Sequence, residues 1–240
     1  MSRNPEPRTL LVRPARLSDV PRLVALNAAA YPDLVEDGVV FDAAQLTAQQ
    51  AVFQEGQLVA EQLWADGERV VVGAIATLVV PGSVALRPHT WAEITSYGTF
   101  ACHDPRADTL YLADVYSDPE AAGTGVGAAL YDALFRLCER KRLARVVAGG
   151  RLWGYHEVAG TQSAEAYAAE VLAGERRDRV FTSQLRAGFD YRGILPGYLD
   201  DWRSAAFATL LVWESSASGS GADRHFGVSI VDHLGRDRLS

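Results

Sequence analysis

Two hydrophobic periods alternate along the chain, and each change of period marks an element. Residues 9–15, TLLVRPA, alternate around β-branched positions and predict a strand. In LSDVPRLVALNAAAYP the spacing of Val20, Leu23, Leu26 and Ala30 turns helical, with Ser18 or Asp19 as cap and Pro21 in the first turn. A second helix covers 42–56 and stops at Gly56. QLVAEQLWA and RVVVGAIATLVV predict a hairpin turned at Asp66 and Gly67. TLYLADVYS (109–117) is a further strand, and the helix that follows, to about Leu143, carries the stripe Leu130, Leu134, Leu137 and Cys138. ARVVAGG (144–150) is short and nearly all apolar, which suits a strand inside a sheet.

A helix over 163–174 with Ser163 as cap and a short one in VFTSQLRAGF precede final strands in DYRGIL and AAFATLLVWES. The order β-α-α-β-β-β-α-β-α-α-β-β predicts an α/β protein with one mixed sheet of about seven strands flanked by helices. The expected organisation is an arm over 1–8, a single domain over 9–214, and a Ser/Gly-rich linker and tail over 215–240. The polar stretch 81–108 is too long for a plain connection and is expected to serve function or to face a partner.

Composition narrows the function. The chain of 240 residues has 48% hydrophobic and 22% charged positions, ordinary for a globular enzyme. A formal net charge of −7 argues against nucleic acid as a partner, because phosphate contacts need clustered cations. A cationic amine substrate is compatible with it. Two cysteines, Cys102 and Cys138, are too few for a disulfide framework and lack metal-ligand spacing. No apolar run approaches a membrane span, and MSRNPEPR lacks a signal-peptide core, so a reduced, cytoplasmic protein without a membrane partner is expected.

The chemistry concentrates in residues 118–134, DPEAAGTGVGAALYDAL. A strand, a glycine-rich turn and a helix make an anion site from backbone N–H groups and the helix dipole. A Walker loop needs a lysine that this stretch lacks, and the glycine spacing does not match a dinucleotide fingerprint. A tight turn that binds nothing is the plain alternative.

VYSDPEAAGTGVGAALYDAL resembles the acetyl-CoA-binding segment of the GNAT acyltransferase superfamily, with Gly125-Val126-Gly127 filling the G-x-G of its [QR]-x-x-G-x-[GA] motif. Ala122 stands where that family usually has Gln or Arg. FQEGQLVAE, HTWAEITSYGTFACHDPRADTLYLADVYSDPE, RVVAGGRLWGYH, VFTSQLRAGF and ATLLVWES extend the likeness over roughly residues 8–215. They resemble the acetyltransferase-like domain fused to nitrilase-type carbon–nitrogen hydrolases in bacteria, here expected as a free-standing domain.

The resemblance implies a GNAT fold and acetyl transfer from acetyl-CoA to an amine by direct attack. It places the cofactor along Val115, Tyr116 and Ser117, with its pyrophosphate on the amides of Ala122, Gly123, Thr124, Gly125, Val126 and Gly127, and no metal. Arg151 is the nearest candidate for the missing cation. The tyrosine that protonates the leaving thiolate in much of the superfamily corresponds to Gln184, which cannot act as an acid. Tyr155 and His156, just after the fifth strand, are substitutes, and Asp114 is a candidate general base or ammonium ligand. The alternative is a non-catalytic acyl-CoA-binding module. A homodimer, or docking to a separate hydrolase through 81–108 and the tail, would suit either role.

Overall fold

The computed structural model describes residues 9–35, 40–64 and 66–216, so the 1–8 arm and nearly all of the tail lie outside the described residues. The seven predicted strands form at Thr9–Pro14 (β1), Leu58–Leu63 (β2), Arg69–Val80 (β3), Thr109–Ser117 (β4), Arg145–Arg151 (β5), Asp190–Leu195 (β6) and Ala208–Glu214 (β7). They hydrogen-bond into one sheet in the order β1-β2-β3-β4-β5-β7-β6. Every pairing is antiparallel except β4 with β5. That parallel step needs a crossover, which the helix after the glycine turn provides. β5 lies between β4 and β7, as its apolar composition predicts.

Helices cover both faces. α1 (Val20–Ala30) and α2 (Ala43–Phe53) pack on one face, with Leu23, Leu26 and Leu46 in its core. The crossover helix packs on the other, together with Ala164–Ala173 and Phe181–Ala187. The crossover helix (Val126–Arg140) buries the predicted stripe and adds Val126 and Tyr131 to it. Leu130, Leu134 and Leu137 are fully buried, each contributing about 1.5–3 kcal/mol.

The 81–108 stretch holds two short helices, α3 (Gly82–Ala85) and α4 (Trp91–Thr95). In chain order the crossover helix is therefore α5, followed by α6 (Ala164–Ala173) and α7 (Phe181–Ala187). A capping box starts α4: Thr90 Oγ1 accepts from the Glu93 N–H at 3.1 Å, and a Glu93 carboxylate oxygen accepts from the Thr90 N–H at 2.9 Å. The stretch turns Ala85, Ile94 and Phe100 into the core and leaves Tyr97 outside. Trp91 and Phe100 pack against Phe41, so the segment forms a wall of the fold rather than a detached loop.

Candidate active site in the β4–β5 cleft

The sheet opens at its parallel step. β4 and β5 pair from Thr109 with Arg145 to Leu112 with Ala148, and the ladder then ends. A bulge at Ala113 is the cause: Leu112 faces Thr77 and Asp114 faces Ala76, so Ala113 has no opposite number. Its carbonyl accepts from the Trp91 indole N–H at 3.0 Å. Beyond it β4 follows β3 alone and β5 follows β7 alone. A cleft of about 440 Å³ fills the wedge between them. Gly149 and Arg151 give the β5 wall, and a Cβ would collide with Tyr198 at Gly149 and with Gln184 at the neighbouring Gly150.

Asp114 lies just past the bulge and lines the cleft. Asn27 of α1 and Tyr31 at that helix's C-terminal end hold its carboxylate, the Tyr31 hydroxyl donating at 2.7 Å and the Asn27 amide at 3.0 Å. Burial outweighs these donors and raises the carboxyl to about 6. The Tyr31 oxygen is also 2.8 Å from the Val115 carbonyl, yet its hydroxyl carries one proton for two acceptors. Protonated Asp114 can donate to Tyr31 while Tyr31 donates to Val115. Ionised Asp114 accepts from Tyr31 instead. The pair thus gains and loses a proton without orphaning the carboxyl.

Arg151 lines the cleft too, but its charge is committed elsewhere. It pairs with Asp201 at 2.8 Å and Asp33 at 3.0 Å, and Arg203 reaches Asp33 at 3.1 Å. Two of its three nitrogens are thus spent on carboxylates, which leaves the buried Nη1 without a hydrogen-bond partner among the described residues. Exposed Arg177, Arg179 and Arg186 line the cleft, a local concentration of positive charge in an acidic protein.

At the turn, Gly123 and Gly125 adopt φ of 80° and 85°, a region open to glycine at little cost. A Cβ at Gly123, Gly125 or Gly127 would meet nothing within 4 Å, so this backbone faces open space. Among the described residues, no acceptor meets the N–H groups of Gly123, Gly125, Val126, Gly127 and Ala128. The turn and the first turn of α5 therefore present a set of free donors at a helix N-terminus.

Of the sequence-based candidates, Asp114, Val115, Tyr116, Ser117 and Gly127 line the cleft, and Ala122 to Val126 form the turn beside it. Tyr155 and His156 do not line it, which corrects their reading as acids. The Tyr155 hydroxyl is spent on the Gln162 carbonyl at 2.7 Å, its ring packed against Tyr167 and Phe207. His156 Nδ1 donates to the Arg203 carbonyl at 3.1 Å, and its ring stands edge-on to Trp202. After β5 the chain lines the wedge as far as Trp153 and then turns away. Gln184 does line it, buried, with no hydrogen-bond partner for Oε1 among the described residues. Sequence reasoning missed Tyr31 and Asn27, and also Tyr131, which lines the cleft from α5; Tyr131 alone had a signal, its helical spacing with Leu134 and Cys138.

The model of the Acetyltransferase (GNAT) family matches residues 22–159. The chain is 29% identical over 206 residues to an uncharacterized N-acetyltransferase, YkwB, of Bacillus subtilis strain 168, covering 86% of this chain and 89% of that protein. It is 28% identical over 209 residues to a probable hydrolase, YhcX, of the same organism; that match covers 87% of this chain but 39% of the hydrolase. Among solved structures, a GNAT-like decarboxylase, GphF, in complex with isobutyryl-CoA aligns with a TM-score of 0.71 at 25% identity, covering 85% of this chain and 98% of that one. The loading GNATL domain of CurA from Lyngbya majuscula shares the fold, with a TM-score of 0.72 at 20% identity, covering 86% and 98%. With more than half its length matched, and the bulged, opened sheet and glycine turn in place, the chain belongs to the GNAT acetyltransferase family.

Proposed function

We propose that the chain transfers an acetyl group from acetyl-CoA to an amine, with Asp114 as the group that handles the proton. The observation that carries this reading is the Asp114–Tyr31–Asn27 cluster, a carboxyl near 6 at the point where β4 leaves β5. The residues present fit the thioester. The free amides of the turn suit a pyrophosphate without a local cation, and Arg177, Arg179 and Arg186 suit its remaining phosphate charge. The unladdered edge of β4 offers a strand to pantetheine, and the orphaned Gln184 Oε1 offers an acceptor to an amide N–H. The thioester supplies the electrophilic carbonyl and the leaving group when bound.

As the amine adds, Asp114 takes its proton. The same carboxyl then protonates the departing sulfur, a downhill transfer from a group near 6 to a thiolate. That second role replaces the acid missing at Gln184. The complex of the GphF relative with isobutyryl-CoA supports an acyl-CoA as the ligand.

The test is thermal denaturation with CoA and acetyl-CoA, followed by CoA release across a panel of primary amines. Saturating cofactor should raise the melting temperature, since a ligand bound only by the native state stabilises it. At 100 times its dissociation constant the gain is about 2.7 kcal/mol. Stabilisation without release from any amine would favour the non-catalytic binding module. Gly125→Ala is a sharper probe of the turn: forcing a Cβ into the left-handed region costs about 1–2 kcal/mol. It is expected to lower the melting temperature slightly and to shrink the cofactor-induced rise. An undiminished rise would remove the turn from the binding site.

A further inference from the structure

On the α1 face of the cleft, a buried chain of three titratable side chains has no part in the chemistry above. His89 Nδ1 is 2.7 Å from the Arg87 carbonyl, His89 Nε2 is 2.8 Å from the Tyr111 hydroxyl, and that hydroxyl is 2.8 Å from the Tyr198 hydroxyl. A carbonyl only accepts, so in the neutral ring the hydrogen sits on Nδ1 and Nε2 holds a lone pair. Tyr111 must then donate to Nε2, and Tyr198 must donate to Tyr111. Every proton in the chain has one place, and all point away from the cleft. Tyr198 lines the cleft, its hydroxyl end against Gly149, while Tyr111 is fully buried and takes no part in the lining.

We propose that Tyr198, Tyr111 and His89 form a one-way proton path that drains a proton from the acceptor side of the cleft. The inference rests on the amine-acetylation reading, which leaves one proton unassigned. An ammonium acceptor sheds two protons on becoming an amide. One reaches sulfur through Asp114, and the other must leave. In the path, the substrate N–H proton passes to the Tyr198 oxygen as Tyr198 gives its own to Tyr111 and Tyr111 gives its own to Nε2. One N–H bond breaks, one N–H bond forms on the imidazole, and both tyrosines end neutral. Burial disfavours the resulting imidazolium and holds the ring below its ordinary value, opposed by the Arg87 carbonyl and the Glu93 carboxylate on α4, so the charge is short-lived. The hydroxyls of Tyr111 from β4 and Tyr198 from the segment after β6 lie on its other side. His89 is 9% exposed, and the path releases the proton from its ring to the solvent side.

The path is tested by nitrogen-15 NMR of the histidine rings in the full chain and by turnover of acetyl-CoA with benzylamine. The expected spectrum places His89 in the Nδ1–H tautomer, and Tyr198→Phe, two hydroxyls away, shifts its ring nitrogens. An Nε2–H tautomer, or a His89 signal indifferent to Tyr198→Phe, overturns the path whatever the activity. In turnover, Tyr111→Phe and Tyr198→Phe each lower kcat roughly tenfold to a hundredfold with the KM for acetyl-CoA unchanged, and the double variant is no slower than either alone. Losses that add in the double variant mark two separate packing effects and overturn it. Wild-type inactivity toward benzylamine counts against the acetylation reading, and the NMR result still decides the path.

Discussion

Asp114→Asn is expected to lower kcat by roughly 10²–10⁴-fold, the usual worth of a positioned acid–base group. Asparagine keeps the shape and accepts from Asn27 or Tyr31, but it can neither take the amine proton nor return one to sulfur. Acetyl-CoA affinity should change little, because the turn amides and the β4 edge are untouched. In the wild type, kcat/KM should rise with pH through about 6 as Asp114 ionises, and the variant should lose that limb. Stability separates chemistry from unfolding. The folded value of Asp114 lies above its ordinary 3.8, so its ionisation penalty is absent below that value, grows as pH rises toward about 6, and is fully present at pH 7. Asp114→Asn should therefore be at least as stable as the wild type at pH 7. A variant that is inactive because it is unfolded would contradict this, and so would one that keeps full activity.

Arg151→Met is expected to cost about 3–5 kcal/mol of folding stability at pH 7, measured by urea denaturation. Methionine fills much of the space, but Asp201, with its side chain fully buried, loses the guanidinium at 2.8 Å. Asp33 retains Arg203. In the wild type Arg151 holds the Asp201 carboxyl below its ordinary range against the opposing effect of burial, so the pair's contribution is present above that range and fades as pH falls through it. In the variant, burial is opposed only by the Arg203 and Ser204 N–H donors, and the carboxyl rises. The deficit should then be largest near neutral pH and shrink toward pH 4, as Asp201 protonates. A deficit that does not vary with pH would place the cost in packing instead.

Much of the fold was legible because its signals are local. The succession of strands and helices along the chain followed from period and composition, the α5 stripe from helical spacing, and the Ser163 cap is made, accepting from the Ala166 N–H at 3.2 Å. The 81–108 stretch was harder. Its Thr90–Glu93 capping box is a four-residue pattern inside a polar run, and left-handed Ser96, Tyr97 and Phe100 end the short helix with residues that carry no turn signature.

The site was only half legible. The glycine turn announces itself, and a carboxylate within YLADVY demands partners, but those partners, Tyr31 and Asn27, stand 83 and 87 positions upstream. The Tyr111–Tyr198 bond likewise spans 87 positions. Only the sheet brings such residues together, and nothing in their neighbourhoods marks them. Tyr155 and His156 fail for the converse reason: nearness to β5 in sequence is not nearness to the wedge once the chain turns away.

The most direct measurement is a backbone amide NMR titration of the full chain with CoA. Binding in the wedge predicts that the signals of Val115, Tyr116 and Ser117 on β4, and of Gly123 through Ala128 at the turn, move together and saturate. Those of β1 and of Tyr155 and His156 should stay in place. Shifts confined to another surface, or none at millimolar CoA, would contradict a thioester site between β4 and β5.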